Sequence, residues 1–125
     1  MSRIKALVAL ATMIVVANTA AVAAKDSTKG IPFKVASDSR ARYFLLDVVP
    51  GKNGNIIATT RREGSSGIRF SRREINCSAR TFRYVGEGDT LKQASRTNYN
   101  VGKMSELVDG SISDVAVKFA CSKRR

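Results

Sequence analysis

The sequence predicts an α+β domain, in which an antiparallel meander of four or more strands carries a C-terminal helix and one disulfide bond. Apolar runs separated by short polar turns occupy the middle of the chain. One amphipathic segment follows them near the end, and each of these two parts holds one cysteine. Short strands joined by tight turns pair antiparallel with their neighbours in sequence, which gives a meander with one packed and one solvated face.

The strands are predicted from β-branched and aromatic residues between turn signals. The turns are PGKNGN at 50–55 and GSSG at 64–67, since glycine tolerates positive φ and proline presets φ at about −65°. The opening segment, with KGIPFK, is predicted to be irregular. The expected strands cover 41–49, 55–63, 68–77 and 80–86.

The terminal helix is predicted from a cap and an apolar stripe. Ser111 is the candidate N-cap, and Asp114 follows it near the positive end of the helix. Helical spacing places Ile112, Val115, Ala116, Phe119 and Ala120 on one apolar face.

The polar segment 91–104, which precedes this helix, has no firm periodicity, although a short helix over 90–95 is compatible with it.

The two cysteines, Cys77 and Cys121, are predicted to form a structural disulfide, as an even cysteine count indicates in an exported chain. Closing a loop of about 44 residues contributes on the order of 3–4 kcal/mol. A redox pair more often has Cys-x-x-Cys spacing. A metal site needs more Cys or His ligands than this histidine-free chain has, so we expect neither metal nor cofactor.

Residues 1–24 have the pattern of a secretory signal peptide. Arg3 and Lys5 precede an apolar run over 6–17, and small residues follow as far as Ala24. The run is shorter than the about 20 apolar residues of a membrane-spanning helix, although a retained anchor is the alternative. We therefore expect cleavage near Ala24 and a periplasmic, secreted or cell-surface domain over 25–125, with its core at about 41–121 and no integral membrane span.

The chain has 22 basic and 10 acidic residues, a formal net charge of +12. The planar guanidinium of arginine suits carboxylate, phosphate and sulfate groups. The alternative is a solvated sheet face whose charges discourage edge-to-edge aggregation. The candidate basic patch for binding consists of Arg69, Arg72, Arg73, Arg80 and Arg83.

Nothing in the sequence indicates catalysis. The chain has no histidine, no Gly-x-Ser-x-Gly turn and no phosphate-binding loop. Asp47, inside an apolar strand, is expected to pair with an internal arginine or to lie at a strand end. We therefore expect a protein that is not an enzyme.

The order of features resembles the bacterial surface-adhesin protein E-like family. The resemblance covers roughly 41–121 and rests on the segments REINCSARTFRYVGEGDT and LVDGSISDVAVKFAC. Its matching points are Cys77, Arg80 with Arg83 and Tyr84, the helix start at Gly110-Ser111, and Cys121. The family implies an antiparallel sheet packed by helices at the cell envelope, and its named member is an adhesin that binds host extracellular proteins. This chain lacks the lipoprotein cysteine and the tryptophan often found before the last helix.

These features favour a small exported, non-enzymatic binding protein, adhesin-like, with an unknown protein partner in the envelope or the host. One alternative is a periplasmic inhibitor or immunity protein that inserts the GSSG loop at 64–67 into an enzyme. The other is a polyanion-binding protein that uses an arginine-rich sheet face. The sequence leaves the partner and the oligomeric state open.

Overall fold

The computed structural model describes residues 30–96, 98 and 102–124. It confirms the predicted α+β meander: six strands form one sheet in the order β1-β2-β3-β4-β5-β6, and all neighbours are antiparallel. The predicted signal peptide at 1–24 lies outside the described residues. The strands are β1 (Ile31–Phe33), β2 (Arg42–Pro50), β3 (Ile56–Gly64), β4 (Gly67–Asn76), β5 (Thr81–Gly88) and β6 (Ser105–Glu106), and the helices are α1 (Leu91–Ala94) and α2 (Ile112–Lys123).

Both edge strands are absent from the sequence prediction. The KGIPFK segment, expected to be irregular, contains β1, which pairs with β2 from Ile31 opposite Leu45 to Phe33 opposite Tyr43. A three-residue strand with a central proline is too short to show alternation, and proline is tolerated at a sheet edge. The two-residue strand β6 gives even less signal.

The cap of α2 agrees with the prediction, but the centre of its buried face does not. The Ser111 hydroxyl accepts a hydrogen bond from the Asp114 N–H at 3.1 Å. Ile112, Val115 and Phe119 are only half-buried. The centre of the buried face is therefore displaced from the predicted one by one residue, which is about 100° of rotation about the helix axis. The small side chains on the observed face allow the helix to approach the sheet. The buried positions are Ser113, Asp114, Ala116, Val117 and Ala120.

The core lies between α2 and one face of the sheet. Leu45, Ala58 and Ile75 form a buried cluster with Val117 and Ala120. The predicted disulfide is confirmed: Cys77, directly after β4, is bonded to Cys121 in the last turn of α2, with 5.9 Å between the two Cα atoms. The bond therefore joins the sheet to the end of the helix beside the core. Among the described residues, no helix is long and apolar enough to cross a membrane.

The second face of the sheet was expected to be solvated, and this expectation is wrong for its central part. Ile57, Arg61, Glu74 and Val85 are each 2 % exposed or less. Helix α1 contacts β5 and β4 on this side, and the guanidinium of Arg61 lies 4.6 Å from the ring centre of Phe44. Both faces of the sheet are therefore packed.

Candidate binding site

The five arginines of the predicted patch are distributed over both faces of the sheet. Side chains alternate along a strand, so Arg69 and Arg73 lie on the face that carries α2, and Arg72 lies on the other. Arg83, directly opposite Glu74 in the neighbouring strand, shares the side of Arg72. Arg80 lies in the turn after β4, with a φ of 58°.

Three of the five arginines form ion pairs within the chain. Nη1 of Arg69 lies 3.2 Å from Asp89, Nη2 of Arg80 lies 3.6 Å from Asp114, and Nη2 of Arg83 lies 2.8 Å from Glu74. Arg72 donates to the Ser95 carbonyl at 3.2 Å. The ligand-binding role of this set stays a prediction.

Arg73 is the fifth arginine, and it is buried beneath α2 with 3 % of its surface exposed. Its guanidinium donates to the hydroxyl oxygens of Thr60 at 3.0 Å, Ser113 at 3.2 Å and Tyr84 at 3.3 Å. None of the carboxylates that the structure describes lies within 4.0 Å of it. Neutral hydroxyls satisfy its N–H groups, but the buried positive charge has no counter-ion among the described residues.

A cleft of about 500 Å³ lies beside β5, and its described lining comes from this strand, from the end of α1 and from single residues near β6. We term it the β5 cleft. Among the described residues, β6 pairs with Thr81 and Phe82, and the Asn98 N–H donates to the Val85 carbonyl at 2.8 Å. The side chains discussed below are Arg83, Tyr84, Glu87, Gln93, Arg96, Asn98, Lys103 and Ser105.

Helix α1 forms one wall of the β5 cleft, and two glycines allow it to approach the strand. A Cβ on Gly86 would collide with the carbonyl oxygen of Ala94, and a Cβ on Gly88 with the Gln93 side chain. The Thr90 hydroxyl caps the helix by accepting from the Gln93 N–H at 3.1 Å. These contacts fix Gln93, and Arg96 just beyond it, beside the cleft.

Arg83 holds the opposite wall. Its Nε donates to Glu74 at 2.8 Å, and its Nη1 donates to the Gly102 carbonyl at 2.6 Å. Glu74 also accepts from Asn55 at 2.9 Å. Since Lys103 follows Gly102 directly, Arg83 positions the backbone that presents Lys103.

The electrostatic character of the β5 cleft comes from two other cations. The side chains of Arg96 and Lys103 are exposed and make no hydrogen bond or ion pair within the described part of the chain. The one carboxylate in the lining is Glu87, which lies 4.0 Å from Arg69. The cleft therefore offers two unpaired positive charges. Sequence reasoning missed both residues because they lie in the polar segment 91–104, which has no periodicity to place them.

Carboxyl groups with clearly shifted pKa values lie away from the cleft. Hydrogen bonds from Arg62 and Tyr43 hold the pKa of Asp38 below its usual value, and Arg42 does the same to the pKa of Glu63. Burial, together with the bond to Asp38, raises the pKa of Tyr43 to about 12. Each of these groups changes its protonation state at a pH far from neutral, so none is suited to proton transfer at neutral pH.

Other residues singled out in the sequence have ordinary surroundings. Asp47 lies exposed at a β-bulge and forms no ion pair with any described residue, so the internal arginine partner expected for it is not found. The GSSG loop is a hairpin tip with Ser65 and Ser66 exposed. Within residues 30–96, 98 and 102–124, no group of three or more His, Cys, Asp or Glu side chains could hold a metal ion.

Comparison of the chain with protein-family models, with curated proteins and with solved structures gives no match. The candidate site is therefore defined by its own geometry, namely a partly open cleft at a sheet edge with two unpaired cations and several neutral polar side chains.

Proposed function

We propose that this chain is a small exported binding protein that holds an anionic ligand in the β5 cleft and performs no chemistry on it. The observation that carries the proposal is the pair of unpaired cations, Arg96 after α1 and Lys103 before β6, in one cleft. Most other arginines near the sheet already have partners, so their charge is less available to a ligand.

The residues divide the work of binding between contact and positioning. Arg96 and Lys103 supply charge-assisted hydrogen bonds to anionic oxygens, which are about twice as strong as neutral ones. Arg83 and the glycines Gly86 and Gly88 keep the two walls in place. An adhesin-like role would place the anionic groups on a host molecule.

Export is supported by three features: the signal-peptide pattern of residues 1–24, the disulfide, which persists in oxidising compartments, and the resemblance to an envelope family. Intact mass of the protein from its own host tests it. We expect a chain that starts near Lys25 and whose thiols are alkylated only after reduction. A full-length chain with two free thiols would refute export.

The cleft is tested by a double variant, Arg96→Gln with Lys103→Gln. Its matched control is Arg40→Gln with Lys34→Gln, which removes the same two residue types from exposed positions at the other edge of the sheet. Isothermal titration with heparin tetrasaccharide, sodium tripolyphosphate and oligo-dT, at about 0.15 M salt, compares the two with the parent protein.

We expect at least one probe to bind, and the cleft double variant to weaken that binding by about tenfold or more, since two charge-assisted hydrogen bonds are lost. The control should weaken it by less than about threefold, because distant charges are screened. Equal losses in the two double variants, or no binding of any probe by the parent protein, would refute the proposal.

A periplasmic inhibitor is less well supported by the geometry. The hairpin of β3 and β4 is flanked by β2, which pairs with β3 as far as Glu63, and by β5, which pairs with β4 as far as Phe70. The residues from Gly64 to Arg69 extend past these neighbouring strands, so the tip that would enter an active site is short.

A further inference from the structure

We propose that the β5 cleft binds an acidic carbohydrate, a short saccharide with uronate or sulfate groups. This inference rests on the proposed function, because it names the ligand class of the same site. Three features of the cleft, besides its charge, point to a sugar: its size, its neutral polar side chains and one fixed aromatic ring.

The size of the cleft suits a small ligand. Its volume of about 500 Å³ lies within the roughly 300–1,000 Å³ of ordinary small-molecule sites. A groove that follows a nucleic-acid backbone carries a row of cations along its length. The β5 cleft instead has two unpaired cations, Arg96 and Lys103, which suits a ligand with few and separated charges.

Neutral polar side chains accompany the two cations. Gln93 of α1 and Ser105 of β6 line the same cleft from its α1 side and its α2 side. Amide and hydroxyl groups both donate and accept hydrogen bonds, as the hydroxyls of a sugar also do. Gln93 uses its side-chain oxygen to accept from the Asp89 N–H at 2.8 Å, which leaves its amide N–H groups able to donate to a ligand. Phosphate oxygens only accept hydrogen bonds, so the acceptor groups of these side chains would have no partner in a polyphosphate.

Tyr84 supplies the aromatic surface on the α2 side of the cleft, since it lies opposite Arg73, and 37 % of the residue is exposed. Its hydroxyl is bonded to Ser113 at 2.9 Å, and the Arg73 guanidinium lies 4.9 Å from its ring centre. Phe82 meets the ring edge-on, with 5.5 Å between centres. A ring held on several sides is a rigid amphipathic platform that loses little freedom on binding. The C–H groups of a pyranose pack against such a platform.

The test compares probes of different chemistry on the mature, disulfide-bonded protein. Tetragalacturonate carries carboxylates only, and heparin tetrasaccharide carries sulfates as well. Cellotetraose is the neutral sugar, and sodium tripolyphosphate is an anion without a sugar. We expect one or both acidic saccharides to bind at least about tenfold more tightly than tripolyphosphate and cellotetraose. Which of the two is preferred identifies the uronate or the sulfate as the recognised group.

Ser105→Ala provides a readout that charge alone would not move. The Ser105 side chain is exposed and its hydroxyl makes no hydrogen bond within the described part of the chain, so removal of the hydroxyl should leave folding unchanged. We expect it to weaken saccharide binding by about fivefold, as loss of one hydrogen bond does, and to leave tripolyphosphate binding unchanged. Ser66→Ala, at the exposed hairpin tip, is the matched control and should change neither.

The two proposals fail in different ways. Suppose that tripolyphosphate or oligo-dT binds as tightly as the acidic saccharides, and that the Arg96/Lys103 double variant abolishes this binding while the control double variant does not. The saccharide inference is then overturned and the binding function stands. If the acidic saccharides bind but the cleft and control double variants weaken them equally, the β5 cleft is not the site and both proposals are overturned.

Discussion

Gly86 lies directly against the carbonyl group of Ala94, and a Cβ at position 86 would overlap the carbonyl oxygen. Its φ is not in the left-handed region, so the need for glycine here comes from the close approach of α1 and not from backbone conformation. The short helix has only four residues, too few to be stable alone. The absence of one methyl group therefore sets the position of the wall that carries Gln93 and Arg96.

Gly86→Ala should lower the free energy of unfolding by about 1–3 kcal/mol, the usual cost of overpacking. Alanine would otherwise be preferred to glycine within a strand, so a loss would come from the collision with Ala94. Gly51→Ala is the control, because its Cβ would meet Ile57 side-chain carbons at 3.2 and 3.3 Å and the Asn55 carbonyl oxygen at 3.4 Å, without overlap with backbone. Urea unfolding measures both. A Gly86→Ala protein as stable as the parent would show that α1 does not lie against β5 in solution.

Much of the fold follows from local patterns in the sequence, and the candidate site does not. The central strands, the Ser111 cap and the disulfide between Cys77 and Cys121 all have short-range or pairwise signals. β1 has none, because three residues with Pro32 in the middle show no alternation. The β5 cleft brings together residues of β5, the end of α1 and the neighbourhood of β6, which are distant in sequence, so no local periodicity encodes it.

Arginine patterning also misled the sequence analysis, for a physical reason. A run such as Arg72-Arg73 places the two side chains on opposite faces of a strand. One of them bonds a backbone carbonyl and the other is buried under α2. Linear density of charge therefore overstates the density of charge on any one surface.

Thr60→Val should lower the free energy of unfolding by about 1–3 kcal/mol, because it leaves an N–H of the buried Arg73 guanidinium without an acceptor. Arg73→Met should be at least as stable as the parent, since it removes a buried charge that no described carboxylate neutralises. In the Arg73→Met protein, Thr60→Val should cost little. A double-mutant cycle measured by urea unfolding checks this, and equal costs of Thr60→Val in both backgrounds would contradict the coupling.

Cys77→Ser and Cys121→Ser should lower the free energy of unfolding by similar amounts, on the order of 3–4 kcal/mol each. The double variant should be no less stable than either single one, because all three lose the same bond. Reduction of the parent protein, followed by the same unfolding measurement, should reproduce the loss. Additive losses in the double variant would contradict a shared disulfide.

Asp114 should give the protein an acid-sensitive contribution to its stability. It is 2 % exposed, and its Oδ2 accepts from the Gly110 N–H at 2.9 Å and from the Lys118 ammonium at 3.1 Å. The Gly110 hydrogen bond, followed by the charge of Lys118, lowers its pKa below the ordinary 3.8. Because the folded state holds the ionised form more strongly, this stabilisation is complete above about pH 4 and is lost as pH falls through the lowered pKa.

Asp114→Asn should therefore be less stable than the parent at neutral pH, and the difference should shrink as the pH falls below about 4. Chemical unfolding of both proteins from roughly pH 7 to pH 2 measures it. Asp38 and Glu63 also have lowered pKa values, but they titrate in both proteins, so the difference isolates Asp114. Asp109→Asn, an exposed change near the same helix end, should show little difference at any pH. A gap between Asp114→Asn and the parent that stays constant down to the lowest pH would contradict the assignment, because Asp114 would then contribute equally when protonated.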